Sequence, residues 1–256
     1  MTEPRITLAD LPPNLQAHAR EFYANGGTPV APKLAATVLL LRPADSGFEI
    51  YTVRRVPTMP FAPGMYAFPG GSVDPRDVGA DIAWTGPSPA RWAERLGQPE
   101  PQARAVVCAA VREVFEETGV LLASVDGTED FEAERAALVD RRLGFADFLN
   151  SHGLSLSSEL LSPWSRWVTP EFEPRRYDTY FFLALLPSGQ DTRNVGGEAD
   201  VETWLRPGRH DLPMLPPTRV TLTEVEGHSS IADLVAASAH RDAAFPVVPR
   251  LVHSGE

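Results

Sequence analysis

A mixed α/β fold is what this sequence predicts, on three observations. Ala103–Glu117 repeats apolar residues at helical spacing, several shorter segments read as strands, and the two kinds interleave along the chain. No internal repeat or low-complexity run points to an array or a fibrous chain. One domain over 34–250 is expected, preceded by an arm over 1–33.

The arm carries Pro4, Pro12, Pro13, Pro29 and Pro32 with Gly26-Gly27, so it reads as extended apart from a short helix near Leu15–Tyr23. Ala35–Arg42 and Phe48–Arg54 read as a hairpin across the Pro43–Gly47 turn. A proline- and glycine-rich loop follows and ends at Gly70-Gly71, residues that permit a tight turn and close backbone approach to a ligand. Residues 72–102 are polar and loop-rich, with a short helix at Pro89–Leu96. After the central helix, Val120–Ser124 reads as a short strand and Phe131–Asn150 as a surface helix. Trp164–Thr169 and Tyr177–Leu186 form an expected antiparallel pair, Asp200–Leu205 another strand, and Ile231–Ala239 a closing amphipathic helix.

The central helix carries the chemistry. Val107, Val111, Val114 and Phe115 form its apolar stripe, and Gly119 stands where a left-handed C-terminal cap is usual. Glu113, Glu116 and Glu117 project from one side at i, i+3 and i+4. Like charges at this spacing cost about 0.2–0.5 kcal/mol per pair. The negative end of the helix dipole adds about 0.3–1 kcal/mol for each nearby carboxylate. Arg112 offsets part of this; a hard divalent cation, bound through carboxylate oxygens, would offset more. By themselves three glutamates read more simply as a solvated acidic face, and the flanking sequence decides against that.

Composition sets the outer bounds. A chain of 256 residues, 43% hydrophobic, can bury a full core, and no apolar run is long enough for a membrane span. No apolar signal region follows a basic start at the N-terminus, and Cys108 is the only cysteine, so no intrachain disulfide framework exists. Its place inside the helix predicts a buried, inert thiol. A cytoplasmic location is expected. The net charge of −11 argues against nucleic-acid binding. Lys33 is the only lysine, so positive charge is nearly all arginine, whose planar fork suits bidentate phosphate contacts; a GC-rich genome gives the same bias.

Phe68-Pro69-Gly70-Gly71, followed by Arg112-Glu113-Val114-Phe115-Glu116-Glu117-Thr118-Gly119-Val120, resembles a Nudix box. The pattern is a glycine, five residues, a glutamate, seven residues, then Arg-Glu-apolar-x-Glu-Glu-x-Gly-apolar, and the second half matches at every specified position. The first half departs. Arg112 lies 41 positions after Gly71 where the pattern has 14, so 27 are extra. Arg104 stands where the first glutamate belongs, with Asp74 and Asp77 as alternative carboxylates. A box split in this way resembles the subgroup that includes a mammalian peroxisomal coenzyme A diphosphatase. Arg176–Phe182, the Glu198…Trp204-Leu205 spacing and Leu215–Thr218 add to that likeness, which spans roughly 34–240. The C-terminal His-Ser-Gly-Glu lacks the peroxisomal Ser-Lys-Leu address.

The resemblance implies a Nudix α/β/α sandwich with a mixed sheet and an insertion inside the box at about 75–102. It implies hydrolysis of a nucleoside diphosphate linked to another group, with Mg²⁺ or Mn²⁺ held by Glu113, Glu116 and Glu117. Coenzyme A or acyl-coenzyme A is the expected substrate; ADP-ribose, another dinucleotide, or a nucleotide-sensing module without turnover are the alternatives. Glu198 is the candidate base outside the helix, against an ordinary loop carboxylate. Arg54, Arg55, Arg175 and Arg176 are candidate phosphate clamps, against plain surface arginines. Tyr66, Phe68, Trp167 and Tyr180 offer rings for stacking, although aromatics of this kind more often fill a core. Expected partners are a small nucleotide and, as an allowed assembly, a second copy in a homodimer; no nucleic acid and no membrane. No P-loop, dinucleotide fingerprint, nucleophile elbow or histidine metal spacing competes with this reading.

Overall fold

The computed structural model describes residues 5–8, 11, 13–59, 62–79, 81–125, 129–193, 199–208 and 211–252. In chain order the elements begin with β1 (Arg5–Thr7), α1 (Pro13–Ala24), β2 (Lys33–Pro43), β3 (Phe48–Arg55), β4 (Tyr66–Ala67) and β5 (Gly70–Ser72). A 3₁₀ turn at Pro75–Asp77 leads to β6 (Trp84–Thr85), α2 (Pro89–Leu96) and the long helix α3 (Glu100–Thr118). Then come α4 (Glu132–Val139), α5 (Phe145–Ser151), β7 (Leu156–Ser157), β8 (Leu161–Val168), β9 (Tyr177–Leu185) and β10 (Ala199–Leu205). Helices α6 (Pro216–Glu226) and α7 (Ile231–Ser238) and strand β11 (Arg250–Val252) complete the chain.

The main sheet runs β10-β3-β2-β9-β8, with β4 added to β3 and β5 to β2. It is mixed: β2 pairs parallel to β9 and antiparallel to β3 and β5. The unbroken apolar run of β2 is what a strand buried on both faces requires. Val38 and Leu40 turn toward α2, α3 and α5, while Leu39 and Leu41 turn toward α6, α7 and Trp164. Helices therefore cover both faces, giving the expected α/β/α sandwich.

Three local expectations need correction. Val120–Ser124 is not a strand; one bridge links Ala123 to Leu156, and the Gln190 side-chain amide takes both backbone groups of Leu121. Phe131–Asn150 is two helices, broken where Arg141 adopts φ 58°. The break folds Phe131 back onto Phe148, with ring centroids 5.3 Å apart, which a continuous helix would prevent. Helix α6 was not anticipated, although Pro216 and Pro217 open it where proline is tolerated. The N-terminal arm is tied down: β1 pairs with β11, and Tyr23 of α1 packs on Phe172.

The box insertion packs on the body of the protein. Trp92 of α2 is fully buried with its ring 6.0 Å from that of Phe182, and the Tyr180 hydroxyl donates to the Leu96 carbonyl. Among the described residues no helix is long and apolar enough to cross a membrane.

Candidate active site

The site is built at the C-terminal half of α3. Gly119 closes that helix at φ 74°, ψ −1°, a left-handed conformation that costs glycine little, and its N–H donates to the Phe115 carbonyl at 2.9 Å. Buried Arg135 donates to the Glu116 carbonyl, and the Arg193 N–H to the Thr118 carbonyl, so the last turn is held from outside.

Arg112, 7% exposed, is the hub. Its Nε donates to Asp77 Oδ2 at 3.2 Å, and its Nη1 to Glu113 Oε1 at 2.7 Å and Glu116 Oε1 at 3.3 Å. Its Nη2 donates to the Ser72 carbonyl at 2.9 Å, which ties α3 to β5. Burial alone would lower the guanidinium's pKa, but Glu113, Asp77 and Glu116 raise it well above its ordinary value. Three carboxylates for one cation leave the cluster short of positive charge. Burial therefore pushes Glu113 up to about 7, with Arg112 opposing and Glu116 adding to the shift. Glu116 and Asp77 are raised too, again chiefly by burial.

Asp77 answers the question left by Arg104, which donates instead to the Ile82 carbonyl. Asp77 sits in the 3₁₀ turn capped by Asp74, and that turn delivers its carboxylate to Arg112. Asp74 itself pairs with Arg76. Cys108 lies buried with Sγ 3.6 Å from Asp77 Oδ1, and burial raises its thiol pKa, so it is the inert residue expected.

Gly70 and Gly71 do not make a tight turn; they pair in β5 with Thr37 and Ala36. What they provide is closeness. A Cβ on Gly71 would sit 2.5 Å from Glu113 Oε1, and one on Gly70 would sit 2.4 Å from the Ala36 carbonyl oxygen.

The Glu117 carboxylate also acts on Tyr51 of β3. The Tyr51 hydroxyl on β3 is buried with no partner at hydrogen-bond distance among the described residues. Burial, then the nearby Glu202 and Glu117 carboxylates, push its phenol well above the ordinary range. Glu202 pairs with Val53 across the β3–β10 ladder and shares the helix-facing side of the sheet with Trp204 and Tyr51. Sequence reading missed Tyr51 and Glu202; only the register of β10 on β3 exposes them. Glu198 lies outside the described residues.

The candidate arginines are spread out. Arg54 is bidentate to Asp200, at 2.8 and 2.9 Å, and Arg55 follows it at the end of β3. Arg176 donates to the Thr169 and Val30 carbonyls, bracing the loops before β9, and Arg175 is exposed beside it. Phe68, Trp167 and Tyr180 are core residues; Tyr66 is half-buried on β4, opposite Arg54.

A divalent cation fits part of this arrangement. Glu113 and Glu116 bond the same Arg112 nitrogen, so hard oxygen donors converge on a region short of positive charge. Among the described residues no three acidic, histidine or cysteine side chains close into a cage. One or two carboxylates with water and substrate phosphate is the mode Mg²⁺ commonly adopts.

Comparison with known proteins agrees with this geometry. No family model matches the chain. A solved NUDIX hydrolase from Alicyclobacillus acidocaldarius superposes with a TM-score of 0.63 at 29% identity, over 81% of this chain and 96% of that one. Human acyl-coenzyme A diphosphatase NUDT19 is 30% identical over 188 residues, covering 56% of this chain and 49% of that protein. Putative nudix hydrolase 7 from Caenorhabditis elegans is 25% identical over 217 residues, covering 79% of this chain and 63% of that one. The matched regions thus span about half to two thirds of these curated relatives' lengths. With an α/β/α sandwich, the intact Arg112–Val120 half of the box and a solved Nudix neighbour sharing nearly its whole length, the chain has the fold of Nudix hydrolases and resembles them in sequence.

Proposed function

We propose that the protein is a metal-dependent pyrophosphohydrolase acting on coenzyme A or acyl-coenzyme A, releasing 3′,5′-ADP and the (acyl-)phosphopantetheine. The observation that carries the hydrolase reading is the buried Glu113–Arg112–Glu116 cluster set against the side-chain-free Gly71 strand. The coenzyme A reading rests on the split box and on the likeness to a protein named an acyl-coenzyme A diphosphatase.

Glu113, Glu116 and Glu117 would hold Mg²⁺ or Mn²⁺. When bound, such an ion neutralises pyrophosphate charge and acidifies a water molecule. The chain's own part is positional. Arg112 fixes Glu113 and Glu116 by shared hydrogen bonds, and Asp77 and the Ser72 carbonyl fix Arg112. Gly71 leaves room for the Glu113 carboxylate. Arg54 at the end of β3 is a candidate phosphate clamp, with Asp200 as the partner a phosphate would have to displace. Arg55, Arg175 and Arg176 remain candidates for the same task, and Glu198 for accepting the water's proton. Because the protein is net negative, attraction for an anionic substrate has to be local.

The test is a panel of coenzyme A esters, dinucleotides and nucleotide sugars, with products identified by mass. Preferential formation of 3′,5′-ADP supports the reading. A clear preference for ADP-ribose or a dinucleoside polyphosphate rejects the substrate and leaves the hydrolase standing. No turnover of any member with either ion rejects the hydrolase.

A further inference from the structure

None of the residues of the Glu113–Glu116 cluster lines a second cavity, of about 340 Å³, between α2 and the turn after α7, beside the bulge of β8 at Pro163. Its charged and titratable lining is Arg91, Glu94 and Arg95 from α2 with His240, Arg241 and Asp242 from the turn. The lining brings three guanidiniums and two carboxylates together, and Glu224 pairs with Arg241 from outside it.

The commitments of these groups differ. Arg91 is paired with Glu94 on the exposed face of α2. Arg241 stacks 4.0 Å over the Trp164 ring, donating Nε to the Trp164 carbonyl at 2.7 Å and Nη2 to Glu224 at 2.6 Å. Its Nη1 has no acceptor among the described residues. Asp242 is fixed by its own turn, accepting from the Ala244 and Phe245 N–H groups. Arg95 is the exception. It is half-buried, its guanidinium lies 4.9 Å from the Trp92 ring centroid, and no carboxylate or carbonyl accepts from it among the described residues.

A guanidinium has five N–H donors, and leaving them unanswered under partial burial is costly. Burial and the like charge of Arg91 both act against its protonated form. The aromatic face below Arg95 satisfies its cationic character but none of its in-plane donors, which point the need toward a planar or tetrahedral oxyanion.

We propose that this cavity is an anion site for inorganic phosphate or a soluble phosphate monoester, recognised by Arg95 and the free Nη1 of Arg241. It is independent of the hydrolase reading, since no group in it belongs to the cluster on α3. The cavity exceeds the size of one phosphate, so a monoester's organic part has room beside His240 and Asp242.

The experiment uses the full chain in EDTA, without substrate, titrated with inorganic phosphate at constant ionic strength. Thermal unfolding is read for the wild type, Arg95→Gln, Arg95→Lys and the control Arg142→Gln. Arg142 is exposed and paired with Asp140, so its loss changes net charge equally without touching the cavity. Each variant is compared with its own phosphate-free midpoint, which removes any change in intrinsic stability. The expected result is a saturable rise for the wild type and Arg142→Gln, at least a tenfold weaker apparent affinity for Arg95→Gln, and partial retention by Arg95→Lys. Absence of a saturable rise in the wild type, or equal responses from Arg95→Gln and Arg142→Gln, overturns the proposal.

Discussion

Replacing Arg112 with methionine tests the hub of the candidate site directly. The guanidinium is 7% exposed and answers Asp77, Glu113, Glu116 and the Ser72 carbonyl. Methionine fills the space and leaves buried Asp77 and the mostly buried Glu113 and Glu116 without their cation. Removing one partner of a buried ion pair costs about 3–5 kcal/mol. For a protein of this size each kcal/mol moves the midpoint by about 2–4 °C, so Arg112→Met should melt roughly 6–20 °C below wild type in EDTA. Asp77→Asn should cost less, because an amide still accepts from Arg112. The double variant should lose less than the sum of the singles by at least about 0.5 kcal/mol, as groups sharing one network do. Calorimetry of the four proteins completes the cycle. A single variant melting within about 2 °C of wild type, or strict additivity, would refute Arg112 as the organising cation.

Other outcomes follow from particular contacts. Glu116→Gln, with Glu117→Gln beside it, should hold or slightly raise apoprotein stability by relieving like-charge repulsion, while turnover falls by orders of magnitude; near-normal turnover by both would sink the metal-site reading. Gly71→Ala should cost little stability, since the flexible Glu113 side chain yields, but should weaken Mn²⁺ binding measured by electron paramagnetic resonance; unchanged binding would count against Glu113 as a ligand. Asp74→Ala should cost about 1 kcal/mol near neutrality through the lost cap. Arg76 holds the Asp74 carboxyl down at about 2, from an ordinary 3.8, so its stabilisation is full above the ordinary value and lost as pH falls toward 2. The wild-type and variant midpoints should therefore converge in acid, and a constant gap would exclude Asp74 as the source.

Much of the fold was legible because β2, β3, β8, β9 and β10 and the central helix each carry a strong local pattern. The Nudix match added the sandwich, and the apolar run of β2 buries on both faces as such a strand should. What failed depended on distant partners. Leu121 and its neighbours have the composition of a strand, but Gln190 takes the hydrogen bonds that would pair one. Phe131–Asn150 has helical periodicity throughout, yet the edge-to-face contact of Phe131 with Phe148 favours a break. In the site, the spacing of Glu113 and Glu116 was readable from the helix alone. The influence of Glu117 on Tyr51 was not, because that depends on where the sheet lies beneath α3.

The insertion shows how a split motif keeps its geometry. A carboxylate eight residues before Arg112 would lie about two helical turns, or roughly 11–12 Å, back along α3. Arg104 occupies that position and turns to Ile82. The carboxylate that reaches Arg112 comes instead from the 3₁₀ turn directly after β5, where Asp74 caps the turn and Asp77 is held 3% exposed. Residues between Asp77 and Glu100 are then free to leave, pack Trp92 into the core through α2, and return into α3. Removing them wholesale is therefore a poor probe of substrate choice, since Trp92 alone should cost about 3–5 kcal/mol when cut to alanine. A sharper probe is Trp92→Ala against Asp77→Ala. The first should lower stability with Mn²⁺ affinity retained in the folded fraction, and the second should lower both. If Trp92→Ala also abolished Mn²⁺ binding in folded protein, the insertion and the carboxylate cluster would be one cooperative unit, and the separation drawn here between Asp77 and α2 would fail.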